Sequence, residues 1–345
     1  MDEIKKNLHA LMAQRRLEEQ EELEAAMKVE YRFIRPLTAA ASELIDYLQN
    51  PEGRFLLGLK EIDMMTRGFG AGELVYVLGH AHSGKTQVVL NAIHNNRERR
   101  VLYFTPDEPA ALVLTKLVAL STGVDAETLE AKIKSGDKLT EDLVRETASR
   151  TFRNLIVVDN GLTVDQMTMA HEEATDLWGA PPDVVVVDFL ELIPSEEDEG
   201  VYRKSQDLKA FAKKAGCPVI CLHQASRGSG GRGKPMGLFS GRYGGETDAI
   251  FVLGVYRRRD DDDLDEFDRK NAKDLISVQV IKNKRPPSQT GEHEYYMESK
   301  TGKVREIRDG DFGTYRTAAA AIGNTNGNGW AFSGTIPGQD RLPGH

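Results

Sequence analysis

The stretch GHAHSGKT, residues 79–86, has the spacing G-x-x-x-x-G-K-T and follows the apolar run ELVYVL. Glycines at both ends of such a loop let backbone N–H groups approach phosphate oxygens, and a helix that begins at Lys85 adds the positive end of its dipole. Lys85 can reach the β- and γ-phosphates of a nucleotide, and Thr86 can offer its hydroxyl to Mg²⁺. We expect the two histidines of the loop to act as spacers. The predicted phosphate-binding residues are Gly79, His80, Ala81, His82, Ser83, Gly84, Lys85 and Thr86.

An acid at the end of a neighbouring strand must accompany this loop, because the water shell of Mg²⁺ needs a carboxylate partner. Two apolar runs end in aspartate, LIVVDN at Asp159 and VVVVDF at Asp188. Asp188 closes the more apolar run, whereas Asp159 precedes NGLT, which is typical of a turn. We therefore favour Asp188, together with Thr86, as the magnesium ligand.

Hydrolysis also requires a group that polarises the attacking water. The stretch YFTPDEPA offers Asp107 and Glu108, and either carboxylate fits a general base. Acids at a helix N-terminus are also favoured by the helix dipole alone, and the two interpretations are compatible.

Apolar runs alternate with helical patterns between Gly58 and Ile307. Several runs are continuous and β-branched, which is typical of strands buried on both faces of a parallel sheet. The stretches KTQVVLNAIHNN, TVDQMTMAHEEATDLW and SQDLKAFAKKAG have helical periodicity. The pattern predicts an α/β fold, a doubly wound and mostly parallel sheet with flanking helices. The expected strands are 74–79, 101–105, 155–159, 184–188, 218–223, 249–255 and 276–282.

The 345-residue chain carries a formal net charge of −9. Such an acidic molecule is not a basic nucleic-acid coat, so any contact with nucleic acid must be made by a local basic patch. The aliphatic run 184–187 is far shorter than the roughly 20 residues that span a bilayer, and no secretory signal is visible, so no membrane partner is expected. The two cysteines are expected to be buried, reduced thiols in a cytoplasmic protein.

The two ends of the chain differ from this central part. Residues 1–50 are expected to be an N-terminal helical arm or linker, in which Ile4 and Leu11 share one helix face. This arm is either a solvated surface helix or a segment that packs on a neighbouring subunit. Residues 315–345 are rich in Gly, Asn, Ala and Pro and are expected to be a disordered tail. The domain between them spans 54–310.

Residues 54–308 resemble the ATPase domain of DnaB-like replicative helicases, within the wider RecA group. The resemblance begins with GLKEIDMMTRGFGAGELVYVLGHAHSGKTQVVLNAI. It continues in order through VLYFTPDEPAALVLTKLVA, LIVVDNGLTVDQM, VVVVDFLELI, LKAFAKKAGCPVICLHQASR, TDAIFVLGVYRR and ISVQVIKNKRPPSQTG. It implies a RecA-like fold and an ATP hydrolase that uses Mg²⁺ and translocates on single-stranded DNA.

The resemblance also assigns roles to individual residues. The phosphate loop and Asp188 match the nucleotide and magnesium ligands of the family. The catalytic acid matches Asp107 on the DnaB-like pattern and Glu108 on the spacing of RecA, and we favour Glu108 slightly for its longer reach. Gln224 matches the glutamine that couples the γ-phosphate to the DNA-binding loops.

The family has a KNR stretch that reaches into the ATP of the neighbouring subunit, and its counterpart in this chain is KNKR. Lys282 fits the first cation, and the second is either Lys284 by register or Arg285 by chemistry. Lysine replaces an arginine finger poorly, because the planar bidentate fork is lost. Fingers supplied by a neighbour imply a homo-oligomer, either a ring or a filament, with a hexamer expected.

A DnaB-like helicase carries a folded N-terminal domain that engages primase, and about fifty residues stand in its place here. The chain therefore resembles a motor-only relative, with other replication or recombination proteins as expected partners. A helicase is the leading hypothesis. The alternative is a RecA-type recombination or accessory ATPase that binds DNA without unwinding it.

The segment 225–246, ASRGSGGRGKPMGLFSGRYGGE, is the local basic patch that an acidic DNA-binding protein requires. Phe239 and Tyr243 could stack on bases, and the family places the equivalent region in its central channel. A flexible surface loop is the competing interpretation. The predicted DNA-binding residues are Arg227, Arg232, Lys234 and Arg242.

The charge run RRRDDDDLDEFDRK contains four consecutive aspartates, 260–263. They raise a third hypothesis, a metal-dependent, structure-specific nuclease. Consecutive aspartates on a loop rarely converge on one ion, so a solvated loop between strands is the favoured interpretation.

Overall fold

The protein is seen in a computed structural model that describes residues 11–16, 18, 37–49, 53–194, 201–226, 231–241, 245–308 and 311. The described strands are β1 (Leu74–Gly79), β2 (Val101–Phe104), β3 (Leu155–Val158), β4 (Val184–Val187), β5 (Val219–Gln224), β6 (Phe251–Tyr256), β7 (Leu275–Asn283), β8 (Gly291–Met297) and β9 (Val304–Arg305). The described α-helices are α1 (Leu37–Gln49), α2 (Lys60–Thr66), α3 (Lys85–Asn95), α4 (Ala110–Thr122), α5 (Ala126–Lys134), α6 (Lys138–Glu146), α7 (Val164–Trp178), α8 (Val201–Ala215) and α9 (Glu266–Asn271).

These strands form one sheet in the order β3-β2-β4-β5-β1-β6-β7-β8-β9. The six strands from β3 to β6 run parallel, so their carboxyl ends meet at one edge. In the middle of the sheet, Val77 of β1 pairs with Leu222 of β5 and Leu253 of β6. Every residue of β4 is buried, as expected for a strand covered on both faces. The predicted α/β class and mostly parallel sheet are confirmed.

Helices cover both faces of the sheet. On one face, α2, α3 and α4 contribute Ile62, Leu90 and Leu117 to the core. On the other face, α7 and α8 contribute Met167 and Leu208. Burying one such side chain completely stabilises the fold by about 1.5–3 kcal/mol, so the apolar periodicity of these helices fixes which face meets the sheet. The three helices expected from periodicity are present as α3, α7 and α8.

β7, β8 and β9 extend the sheet beyond β6 in antiparallel register. β7 corresponds to the expected strand at 276–282, but β8 and β9 are not predicted from the sequence. β8 has the sequence GEHEYYM, in which Tyr295 and Met297 are buried and the other residues are partly or fully exposed. Such alternation is typical of an antiparallel strand with one face exposed to solvent. A search for continuous apolar runs does not detect it.

α1 is attached to the rest of the domain through Tyr47. The guanidinium of Arg54 lies 3.9 Å from the centre of the Tyr47 ring and donates to the Tyr47 carbonyl oxygen at 2.8 Å. The guanidinium of Arg285 approaches the same ring at 5.1 Å. The large apolar side chains of Leu37, Leu44, Ile45 and Leu48 on α1 are exposed.

Two parts of the predicted organisation fall largely outside the described residues. Residues 11–16 are helical, but the rest of the first 34 residues is not described apart from residue 18. The predicted tail at 315–345 is also outside the described part. Among the described helices, none combines the length and the apolarity that a bilayer crossing requires.

Candidate nucleotide site

The phosphate loop connects the carboxyl end of β1 to α3. The helix begins at Lys85, directly after Gly84, whose backbone is left-handed with a φ of 98°. A side chain at Gly84 would meet Ile276 Cδ1 at 2.7 Å, and one at Gly79 would meet the Val255 carbonyl oxygen at 2.6 Å. Both glycines therefore satisfy a packing requirement, and the loop has the strand–turn–helix context that phosphate binding needs.

The ammonium group of Lys85 is held inside this loop. Its Nζ donates to the carbonyl oxygens of Gly79 at 2.8 Å and His80 at 3.0 Å. Burial lowers the pKa of Lys85, while the Asp188 carboxylate opposes this shift. The amine is thus positioned where the loop backbone would surround a phosphate group.

Thr86 and Asp188 are in direct contact. The Thr86 hydroxyl donates to Asp188 Oδ2 at 2.8 Å, and the Tyr103 hydroxyl donates to the same oxygen at 2.9 Å. Burial raises the pKa of the Asp188 carboxyl, while these two hydrogen bonds lower it. Asp159 instead accepts a hydrogen bond from the Ala110 backbone N–H at 3.0 Å, at the start of α4. The structure brings Thr86 together with Asp188 and not with Asp159.

A cleft of about 540 Å³ opens beside the phosphate loop. A larger cleft of about 700 Å³ lies between α7 and α8, but its described lining includes no residue of the phosphate loop. The smaller cleft is therefore the one in which nucleotide chemistry can occur. It brings together the predicted residues Lys85, Thr86, Asp107, Glu108, Asp188 and Gln224.

The two candidate general bases have different surroundings in this cleft. Each carboxylate oxygen of Glu108 accepts a hydrogen bond from Lys116 Nζ at 2.5 Å. The side chain of Asp107 is exposed on the cleft wall. Because Lys116 already occupies both oxygens of Glu108, that carboxylate is less available to an attacking water. The geometry therefore favours Asp107, against the slight preference for Glu108 that its longer reach suggests.

Several residues near the site are not predicted from the sequence, among them Tyr103, Lys116, Arg257 and Arg259. The last two bring positive charge to the cleft wall from the segment after β6. Burial lowers the pKa of Arg257 to about 10. The stretch GVYRRR contained a usable signal, because residues that follow a strand parallel to β1 emerge at the same edge of the sheet.

Gln224 is the last residue of β5 and pairs in register with Gly79 of β1. Its backbone N–H donates to Glu191 Oε1 at 2.9 Å. The side chain lines the nucleotide cleft, and the basic segment 225–246 follows directly in the chain. Gln224 therefore lies between the phosphate loop and the candidate DNA-binding segment.

Lys282 and Lys284 donate to main-chain carbonyl groups just before β6. Lys282 Nζ bonds the carbonyl oxygens of Glu246 and Thr247 at 2.9 Å each, and Lys284 Nζ bonds that of Thr247 at 3.1 Å. Burial and the neighbouring Lys284 lower the pKa of Lys282 to about 8. Lys284 is exposed, and Lys282 is partly exposed.

Arg285 is engaged within its own chain. Its guanidinium forms an ion pair with both oxygens of Glu73, at 2.7 and 2.6 Å, and donates to the carbonyl oxygens of Thr66 and Gly68. The side chain is only 11% exposed. Breaking a largely buried pair by removing one partner costs about 3–5 kcal/mol. This placement favours Lys284 over Arg285 as the second cation of the finger, and the finger itself stays a prediction.

The segment 282–285 lies at the edge of the sheet opposite the phosphate loop. The Lys284 N–H bonds the Ile250 carbonyl oxygen at 3.0 Å, and the Ile250 N–H bonds the Leu74 carbonyl oxygen at 2.9 Å. Lys284 is thus level with the start of β1, whereas the phosphate loop follows its end, roughly 16 Å away at the rise of an extended strand. These cations are too far from the phosphate loop of their own chain to touch a nucleotide there.

The basic segment 225–246 is described in part. Arg227 and Arg242 lie outside the described residues. Arg232 is exposed and lies close enough to His80 of the phosphate loop for its charge to act there. Burial lowers the pKa of His80, and the positive charge of Arg232 lowers it further. Phe239 is 78% exposed, as a base-stacking side chain must be.

The aspartate run pairs with basic side chains. Lys234 forms ion pairs with Asp261 at 3.5 Å and with Asp263, and Arg259 forms one with Asp260 at 3.4 Å. These acids balance the charge of Lys234 within its own chain, and its role in DNA binding stays a prediction. In the described part of the chain, no three His, Cys, Asp or Glu side chains gather as a metal site would require, so the nuclease hypothesis gains no support.

Comparison with known proteins points in the same direction. Residues 56–304 match the family model described as "DnaB-like helicase C terminal domain". One curated relative is "Replicative DNA helicase DnaC" of Bacillus subtilis (strain 168), 25% identical over 276 residues that cover 74% of this chain. Another is "Replicative DNA helicase DnaB" of Geobacillus stearothermophilus, 26% identical over 274 residues with the same coverage. The chain spans 58% of the length of each of these relatives.

Solved structures share the fold. A separately solved ATPase domain superposes with a TM-score of 0.66 at 18% identity, over 80% of this chain and 100% of that one. "The Structure Of A DnaB-Like Replicative Helicase And Its Interactions With Primase" superposes with a TM-score of 0.65 at 19% identity, over 86% of this chain and 72% of that one. These likenesses confirm the predicted RecA-like, doubly wound architecture. Because the family model covers most of the sequence and the site has the expected strand–loop–helix setting, the chain belongs to the DnaB-like helicase C-terminal domain family.

Proposed function

We propose that this chain is an ATP-driven helicase motor that translocates on single-stranded DNA and hydrolyses ATP at subunit boundaries. The observation that carries the proposal is the single cleft in which Lys85, Thr86, Asp107 and Asp188 meet. A phosphate loop alone serves many reactions. A strand-end acid and a candidate base in the same cleft are what transfer of a phosphoryl group to water requires.

Four side chains of the cleft have roles in this reaction. Lys85 and the N–H groups at the start of α3 bind the β- and γ-phosphates and balance their charge. Thr86 and Asp188 fit Mg²⁺, because hydroxyl and carboxylate oxygens are donors that this ion prefers; when bound, it neutralises charge on the same phosphates. Asp107 orients the attacking water and accepts its proton, since its exposed carboxylate lies on the cleft wall.

Two features support hydrolysis at a subunit boundary. Lys282 and Lys284 lie opposite the phosphate loop of their own chain, so a second copy is needed for either amine to contact ATP. The exposed leucines of α1, of which Leu44 is 57% exposed, provide an apolar surface for such a copy. We infer a homo-oligomer in which Lys282 and Lys284 serve as the finger of the neighbouring site.

The segment 225–246 is the proposed contact with single-stranded DNA. It follows Gln224 directly, and Arg232 and Phe239 on it are exposed. Because this basic segment would lie beside the γ-phosphate, ATP hydrolysis could change its contacts with the DNA backbone. Its charged contacts predict an affinity that falls steeply with salt.

Incubation of the purified protein with a forked duplex distinguishes the candidate functions. We expect strand separation that requires ATP. DNA that is bound but not separated would support the recombination or accessory ATPase, and cleavage with Mg²⁺ alone would support the nuclease. Lys85→Ala should lower ATP turnover roughly 100-fold or more, because it removes a preorganised charge from the transferring phosphoryl group. Wild-type protein that fails to hydrolyse ATP even with oligonucleotide present would refute the proposal.

The DNA contact is tested by substituting Arg232→Glu and Arg242→Glu and measuring affinity for an oligo-dT strand at several salt concentrations. We expect weaker binding and a log–log salt slope that falls by about 1 for each lost phosphate contact. Arg150→Glu is the matched control, because Arg150 is an exposed arginine on a helical turn far along the chain from this segment. Equal behaviour of the two proteins would remove the segment from the DNA interface.

A further inference from the structure

Glu191 follows Asp188 by three residues, in the 3-10 turn Leu190–Leu192. Its Oε1 accepts the hydrogen bond from the Gln224 backbone N–H at 2.9 Å and lies 3.0 Å from Nδ1 of His223. The Glu191 side chain is nearly buried, and that of His223 is completely buried. One carboxylate oxygen therefore holds the last two residues of β5 next to the segment that carries the magnesium ligand.

The other side of the His223 ring faces the base of the segment 225–246. A side chain added at Gly241 would overlap both His223 Nε2 and the Glu246 carboxylate, so both groups border the space beside Gly241. Among the described residues, the buried His223 Nε2 has no hydrogen-bond partner. Glu246 Oε1 accepts a hydrogen bond from the Gly241 N–H at 2.5 Å, and Ala225 pairs with Gly241 across a β-bridge. Ala225 and Gly241 of the segment are thus held together next to the buried Glu246 carboxylate and the buried His223 imidazole.

Glu246 also contacts the finger. Its carbonyl oxygen accepts the hydrogen bond from Lys282 Nζ at 2.9 Å, while its side chain holds Gly241. A buried carboxylate that loses its partners is strongly unfavourable, so a displacement of one member of this set must shift the others. The turn after Asp188 is linked through Glu191 to His223, whose ring packs beside Gly241. Gly241 is linked in turn through Glu246 to Lys282.

We propose that Glu191, His223 and Glu246 are positioning residues that transmit the state of the nucleotide cleft to the base of the DNA-binding segment and to the finger lysine. This inference rests on the proposed function, which supplies the nucleotide, the DNA and the neighbouring subunit. Glu191 acts by fixing Gln224 and His223, and His223 acts by fixing the place where the segment 225–246 closes. None of the three is among the described residues that line the nucleotide cleft.

The test compares ATP turnover with and without oligo-dT for the wild type, Glu191→Ala, His223→Ala and the double variant. We expect each single substitution to reduce the stimulation by DNA about tenfold, within the usual range of coupling between two sites. Basal turnover should change much less. The double variant should be no worse than either single one, because residues of one connected set are not additive.

Two conservative variants separate positioning from simple loss of packing. Glu191→Gln keeps an oxygen that can accept both hydrogen bonds, and His223→Asn keeps an N–H donor toward Glu191, so both should retain the stimulation. Glu298→Ala is the control, because it removes a carboxylate bonded to Arg305 at the far β8–β9 edge and should leave the stimulation unchanged. Thermal unfolding of each variant checks that the fold persists.

The outcomes distinguish this inference from the function it rests on. A wild type whose turnover is not stimulated by DNA would refute the proposed function and the inference with it. Stimulation in the wild type that persists undiminished in Glu191→Ala and His223→Ala would refute the inference alone. So would a parallel loss of basal and stimulated turnover in folded variants that neither conservative substitution rescues.

Discussion

At the scale of single residues, Asp107 and Glu108 are adjacent in the chain, yet their carboxylates differ in what they can do. A base must offer a lone pair to the attacking water, and both oxygens of Glu108 already accept hydrogen bonds from Lys116. Glu108 is better suited to hold the start of α4 in place through that ion pair. Asp107, whose side chain is exposed on the cleft wall, is then the proposed general base.

Substitution of the two acids should separate these roles. We expect Asp107→Asn to lower the ATP turnover number roughly 100-fold or more with little effect on nucleotide affinity, since a general base acts in the transition state. Glu108→Gln should cause a smaller loss, similar to that of Lys116→Met, because both substitutions remove the same ion pair. Steady-state ATP hydrolysis at several ATP concentrations gives both the turnover number and the KM for ATP. The reverse ranking would assign the base to Glu108.

Lys282 gives a pH dependence whose sign follows from its lowered pKa. Burial and Lys284 bring this pKa from its ordinary value near 10.5 to about 8, so the amine is charged below about pH 8 and neutral above it. If it balances phosphate charge on the neighbouring subunit, ATP turnover should fall as pH rises through about 8. Lys282→Arg should remove this fall, because a guanidinium stays charged. An unchanged pH profile in that variant would contradict the role of Lys282.

At the scale of elements, the connection from β1 to α3 depends on the absence of a side chain at Gly84. Gly84→Ala introduces both a left-handed alanine and a clash with Ile276, and should lower the free energy of unfolding by about 2–4 kcal/mol. Gly123→Ala is the control, because Gly123 is also left-handed (φ 75°) but has open space around it. It should cost about 1–2 kcal/mol. Urea unfolding measures the free energy of unfolding of both variants. Equal losses would mean that a movement of Ile276 relieves the clash.

The elements also show how far the sequence could predict the structure. The buried parallel strands were predictable, because a strand covered on both faces must be apolar throughout, as VVVV in β4 is. The strand β8 was not predictable, since its polar residues obscure the alternation of buried and exposed side chains. Contacts between distant residues were also beyond reach. Arg285 was a candidate for the arginine finger because of its residue type. Its ion pair with Glu73 could not be predicted, because Glu73 lies more than 200 residues away in the chain. The pairing of Lys116 with Glu108 likewise depends on the exact path of α4.

At the scale of the whole molecule, α1 presents apolar side chains that a lone copy leaves in contact with water. A second copy that covers Leu44 and Leu48 would bury this area and bring a finger segment toward a neighbouring cleft. The net charge of −9 works against close association, so specific apolar contact is needed to hold copies together.

The apolar surface of α1 predicts a change in assembly on substitution. We expect Leu44→Asp to shift the protein toward monomers and to lower ATP turnover, because the neighbouring finger is lost. Leu177→Asp is the matched control, since Leu177 is a 75% exposed leucine on α7. Light scattering during size-exclusion chromatography measures the mass of both variants. An assembly of unchanged mass in Leu44→Asp would exclude this face of α1 from the subunit contact.

The placement of Arg285 has a mechanical consequence. Its guanidinium packs on Tyr47 of α1 and grips Glu73 at the entrance to β1, and it directly follows Lys284 in the chain. A pull applied to α1 by an adjoining molecule would therefore reach the two lysines through one side chain, with no need to bend the sheet. α1 and the two lysines therefore have Arg285 as a common contact, so tension on one is transmitted to the other.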